Sequence, residues 1–457
     1  MSIKEVRFVD LFAGIGGFRL GFEQACESLG IPARCVFTSE IKPSAIETYE
    51  ANFHGAEICG DITKIQASLI PDFDVLLAGF PCQAFSTAGK REGFADTRGT
   101  LFFEIERILE ERRPTALILE NVEGLVTHDR ADGLKSTGRT LQVILNSLNN
   151  LGYSVTWKVL GASDFGVPQN RRRIFIVGVL GTVVSLEGFE PTVCKLADVL
   201  LEGLPTSESR IAKLLQKNFN REQLQGKAVK DKRGGDDNIH SWDIGLKGRV
   251  TKQQKQLLSA ILRARRNKKW AEDKGITWMD GMPLTLAEIR TFFDVPNLKK
   301  LLDDLVKKGY LSFEHPKDLV PLINSGTSRM VREAKTSSPK GYNIVTGKLS
   351  FEISKILHPA GLCPTLVATD SARIAVSDRD GLRPLHDVEL LRLSGFPDDF
   401  KLVGTQSEKY DLIGNTVIVK VVQAIAERVV GASVLGHNHS FEVHPKSNFG
   451  QLELFGS

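Results

Sequence analysis

Near its start the chain reads Phe8-Val-Asp-Leu-Phe-Ala-Gly-Ile-Gly-Gly17, an apolar strand that breaks into a glycine-rich turn and at once opens an amphipathic helix. Glycines let a backbone turn tightly and approach a ligand, and the first amides of a helix favour an anionic group. The spacing is not the G-x-G-x-x-G of a dinucleotide site, because Gly14, Gly16 and Gly17 are followed by Phe18, Arg19 and Leu20. It remains suited to a nucleotide-like ligand. The alternation continues: Val6–Leu11, Asp74–Ala78, Ala116–Glu120 and Ile174–Val179 read as strands, and Gly17–Leu29, Leu101–Glu111 and Thr140–Leu151 as helices. Strand, helix, strand in this order predicts an α/β fold, a Rossmann-like doubly wound sheet with helices on both faces. Ligands in such sheets gather at the carboxyl ends of the strands.

Candidate functional residues fall at those ends. Glu40 closes a strand-like run, where an acid accepts hydrogen bonds from ribose hydroxyls. Asp61, after Gly60, closes another and is placed to meet an adenine amine; each acid taken singly is more often a loop residue. Gly79-Phe-Pro-Cys-Gln-Ala-Phe-Ser86 follows a buried strand. A free cysteine is usually a small buried apolar residue, but the strand mouth and polar neighbours favour Cys82 as a nucleophile. A thiol with pKa near ~8.5 is only slightly ionised at neutral pH, so such a site must help it. Glu120-Asn-Val122 sets a carboxyl group beside that thiol, able to hold or donate a proton. Gln169-Asn-Arg-Arg-Arg173 is either a solvated turn or, beside a nucleophile, a site for phosphate and carbonyl groups.

Length and charge narrow the rest. A chain of 457 residues is long enough for two or three domains. No apolar run approaches the roughly 18 residues needed to span a bilayer, and no signal-like stretch follows Met1. Six cysteines without a CxxC pair point to free thiols in a reducing cytosol, with no metal expected. The net charge of +4 is unevenly spread: residues 207–270 hold 17 Lys/Arg against 6 Asp/Glu, leaving the remainder acidic. A basic block in an acidic protein suggests a polyanion partner, the plain alternative being a solvated helical face. Within this stretch Thr251–Trp270 reads as a basic helix. Leu284–Phe293 and Asn297–Lys308 read as two more, before a strand at Gly309–Glu314. This pattern fits either a winged-helix unit or an ordinary helical subdomain.

Taken in order, DLFAGIGG, GFPCQAFS, ENV, QNRRR and Gly414-Asn-Thr-Val417 resemble the cytosine-C5 DNA methyltransferases, of bacterial restriction–modification type. The match covers about residues 6–180 and 360–430. The resemblance implies S-adenosylmethionine as methyl donor. Phe12 would pack on its adenine, Gly14 and Gly16 admit its methionine portion, Glu40 hold the ribose, and Asp61 and Ile62 flank the adenine. It implies that Cys82 attacks C6 of a cytosine flipped from the duplex, with Gln83 and Ser86 beside it on the DNA, and that Glu120 bonds the N3/N4 edge. Arg171 and Arg173 would bind phosphate and cytosine O2, with Gln169 alongside. Asn415 would shape the cofactor region, and Gly99-Thr-Leu101 matches a further motif beside it. Two positions depart from the family pattern. Leu382-Arg-Pro-Leu-His-Asp-Val-Glu389 keeps Arg383 and Glu389 but has Asp387-Val388 where Pro–Arg is common, and Ile41 stands where an aromatic often follows the acid.

The resemblance divides the chain into a catalytic domain at 1–184, a target-recognition region at 185–403, a return to the catalytic domain at 404–431 and a polar tail at 432–457. Pro364-Thr-Leu366 resembles the recurrent Thr-Leu pair, which puts Thr365 on the DNA backbone. Arg263, Arg265, Arg266, Lys268 and Lys269 crowd one helix end, suited to phosphates. Gln451-Leu-Glu-Leu-Phe455 looks like the peptide by which bacterial proteins dock on the replication sliding clamp. The expected partners are therefore double-stranded DNA, a cognate restriction endonuclease in function, and the clamp. The expected setting is a monomer on nucleoid DNA in the cytoplasm. Two alternatives stand: a tRNA cytosine methyltransferase on the same scaffold, and an inert DNA-binding regulator. The large basic insertion speaks against the first, and the complete Cys82, Glu120 and Arg173 set against the second.

Overall fold

The computed structural model describes residues 5–55, 57–80, 101–129, 137–277, 281–324, 327–346 and 351–434, with only the main chain at 322–329. Its centre is a six-stranded sheet. In chain order the strands are Val6–Leu11 (β1), Ala33–Ser39 (β2), Val75–Gly79 (β3), Ala116–Val122 (β4) and Tyr153–Gly161 (β5), then, after the two-residue Gln169–Asn170 (β6), Arg172–Leu180 (β7). They lie in the order β2-β1-β3-β4-β7-β5. The first four are parallel, and β7 runs antiparallel to both β4 and β5. The doubly wound α/β sheet is thus a mixed one.

Alternation along each strand supplies both faces. Phe8, Val75, Leu77, Ala116 and Ile118 point into a core with Phe18, Phe22, Val422 and Val429. Val9, Leu11, Leu76, Leu117 and Leu119 point into a second core with Ile105, Leu109, Leu141 and Ile144. The first face is covered by Gly17–Ser28 (α1). Pro43–Asn52 (α2) follows β2, and the second face is covered by Leu101–Arg112 (α3) and Arg139–Asn150 (α4). Strand β5 escapes the hydrophobic pattern because it is an edge: most of Tyr153–Gly161 is half-buried, so its polar residues sit among apolar ones.

The insertion follows. Arg210–Asn218 (α5) and the single turn Arg221–Leu224 (α6) precede Ala228–Val229 (β8) and Asn238–Ile239 (β9). Next come Lys252–Ala264 (α7), Lys269–Glu272 (α8), Leu286–Arg290 (α9) and Leu298–Lys307 (α10). Leu311–Glu314 (β10), Lys317–Asn324 (β11), Thr327–Ala334 (β12) and Gly341–Ile344 (β13) complete this unit. Strand β10 pairs antiparallel with β13, and Leu284 bridges Tyr342. Helices α7, α9 and α10 close over these three strand segments around Leu257, Ile261, Ile289, Leu302 and Leu305. This is the topology of a winged helix, with the β11–β12 ribbon in the position of the wing. Gly341 is required there, since a Cβ would lie 2.6 Å from the Leu284 backbone.

The basic helix expected at Thr251–Trp270 is two helices. Thr251 caps α7 reciprocally with Gln254, and the chain turns at Arg265–Asn267 before Asn267 accepts from the Lys269 amide. The reason lies in Arg265. Its side chain is 1% exposed and donates to the Asn343 side chain at 2.6 Å, and its carbonyl accepts from Met282. It clamps the turn onto β13 and does not face phosphates, which corrects the DNA-contact assignment for Arg265. Arg266 beside it is exposed.

Lys355–Ile356 (β14), Cys363–Pro364 (β15), Ile374–Ser377 (β16) and Leu382–Pro384 (β17) bring the chain back. β17, β16, β14, β8 and β9 form a second sheet. Ala368–Ser371 (α11), Asp387–Arg392 (α12), Gln406–Asn415 (α13) and Val419–Val434 (α14) end the described chain. Helix α14 packs on α1, so closely that a Cβ on Gly21 would meet the Val419 carbonyl at 2.7 Å. Helix α14 thus completes the core on the first face of the central sheet.

One buried charge cluster ties β16, β17 and α12 to the chain at Leu201–Leu204. Arg383 is 2% exposed. It donates to Asp378 at 2.6 Å, to both oxygens of Glu389 at 2.9 and 2.7 Å, and to the Leu201 carbonyl at 2.6 Å. Burial opposes ionisation of Asp378, but the Arg383 hydrogen bond and the amides of Gly203, Arg379 and Leu204 outweigh it and hold its carboxyl far below the usual range. The departure at Asp387 is absorbed here: it accepts from Lys409 and Gln406 and ties α12 to α13.

Arg383→Ala leaves two buried carboxylates without their counter-charge. It should cost about 3–5 kcal/mol of stability by denaturant unfolding, the range for breaking a buried pair. Because the folded Asp378 pKa is depressed, its contribution is fully present above the unfolded value near ~3.9 and fades as pH falls below it. The gap between wild type and variant should therefore narrow in acid, and an equal gap at pH 7 and pH 3 would refute the assignment.

Candidate active site

Register places the functional strand ends side by side. Leu11 pairs with Ser39 on one flank and Ala78 on the other, and Gly79 pairs with Glu120. So Phe12, Glu40, Phe80 and Glu120 all leave the sheet at one edge. Strand β7 enters at the same edge because it is antiparallel: Val122 pairs with Arg173.

The first half of the site is the turn after β1. Phe12 is half-buried, with φ 55. Gly14 has φ +56 and, among the described residues, nothing within 4 Å of where a Cβ would stand, so its backbone borders open space there. Gly16 is needed for a different reason: a Cβ there would sit 2.2 Å from the Phe53 ring. The Gly14 amide donates to Glu40 at 2.8 Å, and the amides of Ile41 and Lys42 donate to its other oxygen. Three amides thus aim the Glu40 carboxylate, while its remaining lone pairs stay available for hydroxyls. Ile41 is exposed beside it.

Asp61 accepts from the Thr63 amide and hydroxyl at 3.1 and 2.8 Å. Those bonds hold its carboxyl below the usual range. Ser39 donates to the Gly60 carbonyl, which keeps Asp61 next to the β2 end. Ile62 is 2% exposed and packs inward with Phe102 and Ile105, so its side chain belongs to the core and not to a cleft wall. Sequence reasoning missed Asp10. It is fully buried, neither carboxylate oxygen has a hydrogen-bond partner among the described residues, and burial pushes its pKa well up. Its position at the end of β1 was visible; its isolation was not.

The second half is Glu120 with Arg173. The Arg173 Nε lies 3.0 Å from Glu120 Oε1, both side chains mostly buried. Burial raises the Glu120 pKa above that of an ordinary glutamate, and Arg173, then Arg171, pull it back. Such an acid can keep its proton nearer neutrality and hand it to a ring nitrogen. Asn121, also unassigned from sequence, donates to the Phe80 carbonyl at 3.3 Å and so tethers the entry to the Pro81–Cys82 segment. Cys82, Gln83, Ser86 and Gly99–Thr100 lie outside the described residues.

Two expected ligand contacts, Arg171 and Gln169, are buried against the protein's own main chain. Arg171 is buried and donates to the carbonyls of Leu366, Gly414 and Thr416 at 3.4, 3.0 and 2.7 Å. Its two terminal nitrogens are spent on joining the start of β7 to the returning chain, while its buried Nε has no hydrogen-bond partner among the described residues; this burial corrects its assignment to phosphate or O2. Gln169 is likewise buried, donating to the Leu393 carbonyl and accepting from the Leu366 amide. Thr365 donates to the Asn170 carbonyl, alongside the β6–β15 pairing. Thr365 as a whole is half-buried. Asn415 is exposed and donates to the Asp411 main chain and side chain. Asp411 in turn pairs with Lys42, which brings this helix end next to Glu40. Among the described residues no group of three or more His, Cys, Asp or Glu is arranged to hold a metal.

A sheet edge that combines an amide-aimed acid, a glycine turn onto open space and a buried acid–arginine pair defines a group-transfer enzyme with a nucleotide-like co-substrate. The family model of the C-5 cytosine-specific DNA methylases matches residues 6–431, and the chain belongs to that family. It is 55% identical to the Type II methyltransferase M.NlaIV of Neisseria lactamica over 94% of this chain and 99% of that protein. It is 53% identical to M.NgoBV of Neisseria gonorrhoeae, with the same coverage. It is 39% identical to M.BanI of Aneurinibacillus aneurinilyticus over 98% and 99%. The family's methyl donor is S-adenosylmethionine. The residues present fit it: open space over Gly14, a carboxylate at Glu40 for ribose and an unpartnered buried acid at Asp10.

Because Arg173 lowers the Glu120 pKa, Arg173→Ala should move the Glu120 titration to higher pH. Infrared difference titration, with Glu120→Gln to assign the carboxyl band, reads this directly; an unmoved or lowered midpoint would contradict the pairing.

Proposed function

We propose that this DNA cytosine-5 methyltransferase works through a covalent adduct of Cys82 on a cytosine turned out of the duplex. The observation that carries the reading is the shared sheet edge. Glu120 pairs in register with Gly79, three residues before Cys82, and Arg173 grips Glu120 from the next strand. The Cys82 thiolate forms a bond to C6, and Glu120 places a proton at N3, so electron density builds at C5. S-adenosylmethionine supplies an electrophilic methyl group when bound. C5 takes that methyl while the donor's sulfur keeps the bonding pair and departs as a thioether; the C5 proton leaves to a base, the C6–S bond breaks to restore the thiolate, and the N3 proton returns to Glu120, which restores the neutral ring. Glu40 would hold the donor's ribose, and the Gly14–Gly16 turn would admit its methionine portion. Burial of Glu120 favours its neutral form in the resting site. Extruding the base costs a few kcal/mol of stacking, which contacts to its edge must offset.

The similarity to Type II methyltransferases supports a place in restriction–modification, with methylation shielding host DNA from a cognate endonuclease. A duplex carrying 5-fluorocytosine at the target tests the chemistry, since fluorine cannot leave C5 as a proton does. Wild type with donor should form a protein–DNA adduct that survives denaturing electrophoresis. Cys82→Ser should form none while still shifting the duplex in a native gel. Adduct formation by Cys82→Ser, or labelling of tRNA in place of DNA, would overturn the reading.

We also propose that the terminal Gln451–Phe455 peptide docks on the sliding clamp and brings methylation to newly copied DNA in the cytoplasm. Only its sequence supports this, because it lies outside the described residues. Deleting 451–457 should abolish co-purification with the clamp and leave oligonucleotide methylation intact; retained clamp binding would refute it.

A further inference from the structure

The β11–β12 ribbon carries more than the winged-helix topology needs. It runs in unbroken antiparallel register from Lys317↔Ala334 to Asn324↔Thr327. At about 3.4 Å per residue its eight-residue strands extend roughly 24 Å. Among the described residues no third strand pairs with it. It is held at its root: Asp318 accepts from the Thr277 amide and hydroxyl at 3.2 and 3.1 Å. Lys335 donates to the carbonyls of Lys274 and Gly275 at 2.8 Å each. A two-stranded ribbon in water is marginally stable on its own, so a feature of this length calls for a partner.

Its two faces differ chemically. Alternation puts Lys317, Leu319, Pro321, Met330, Arg332 and Ala334 on one face, through the pairs Leu319↔Arg332 and Pro321↔Met330. The acids Asp318 and Glu333 share the other face with Val320 and Val331. The first face is therefore cationic and apolar with no acid, and Met330 on it is 54% exposed. Pro321 has no N–H to offer, which interrupts this edge as a template for another strand. Next to the root stands a second cationic feature, the exposed Arg263, Arg266, Lys268 and Lys269. The Trp270 ring joins the two: Lys269 lies 4.2 Å above it and Lys274, whose carbonyl receives Lys335, lies 5.7 Å from it. A two-stranded ribbon fits the roughly 12 Å major groove. There arginine reads guanine, and apolar groups read the methyl-bearing edge.

We propose that the β11–β12 ribbon enters the major groove of the substrate duplex with its acid-free face toward the bases. Met330 and Arg332 then set part of the target sequence, while the turn at 263–269 holds flanking phosphates. The inference rests on the DNA-methylating function above and assigns its sequence-reading element. Deep sequencing of bisulfite-treated plasmid, methylated by purified full-length protein, tests it. The double variant Met330→Ala/Arg332→Ala should lose roughly tenfold or more of its discrimination between the target and single-base variants at one or two positions. Arg266→Glu should lower methylation at all sites alike and flatten the salt dependence of binding. As a second variant, joining Asp318 to Glu333 through Asn-Gly removes the ribbon at a register pair that a tight turn can close. It should broaden the methylated set while keeping donor binding by calorimetry. Unchanged site preference in the double variant overturns the ribbon inference alone, whereas failure of the wild type to methylate DNA overturns the activity on which it rests.

Discussion

The register of four parallel strands decides where chemistry can occur in this molecule. Leu11, Ser39, Ala78 and their neighbours stop at a common edge, and everything functional follows from what the chain carries just beyond it. Parallel strands must be joined by crossovers, so each strand end is followed by a loop free to hold a polar group. The antiparallel entry of β7 adds what a purely parallel sheet lacks: a residue from a strand's beginning, Arg173, beside one from a strand's end, Glu120. The acid sits in apolar surroundings that raise its pKa, and the guanidinium keeps that rise in check.

Three buried arginines tie distant segments together: one links the central sheet to the returning chain, and two brace the region after it from within. Arg171 satisfies carbonyls at 366, 414 and 416, residues some two hundred positions away in sequence. Arg383 gathers Asp378, Glu389 and the Leu201 carbonyl. Arg265 locks the basic turn onto β13. Guanidinium is weakly hydrated and offers five donors in a planar fork, so it suits sites where several carbonyls converge without water. Removing any one leaves buried acceptors unmet, which is why these positions are structural although their residue type suggests phosphate.

Much of the central fold was legible. Strands β3, β4 and β7 follow from continuous apolar runs, and β1 from one broken only by Arg7 and Asp10, because a sheet covered on both faces leaves little polar alternation to misread. Strand β5 was not, since an edge strand mixes polar and apolar residues. The basic stretch at 251–270 has helical periodicity throughout. Its break comes from Arg265 finding Asn343, a contact 78 residues distant that no local pattern encodes. Asp10, Asn121 and the ribbon's unlike faces likewise appear only once strands are paired.

By itself the sequence determined the class of enzyme and the glycine turn, and it singled out Cys82 and Glu120 as the candidate nucleophile and acid. Those depend on residue type and order along strand–loop–helix units, which are local. Only the tertiary structure decided which arginine meets Glu120 and which is spent on carbonyls, because the motif QNRRR offers three chemically equivalent side chains. Strand alternation sends Arg173 toward Glu120, and the returning chain surrounds Arg171 with acceptors. That division is set by burial and long-range packing, which a one-dimensional string does not contain.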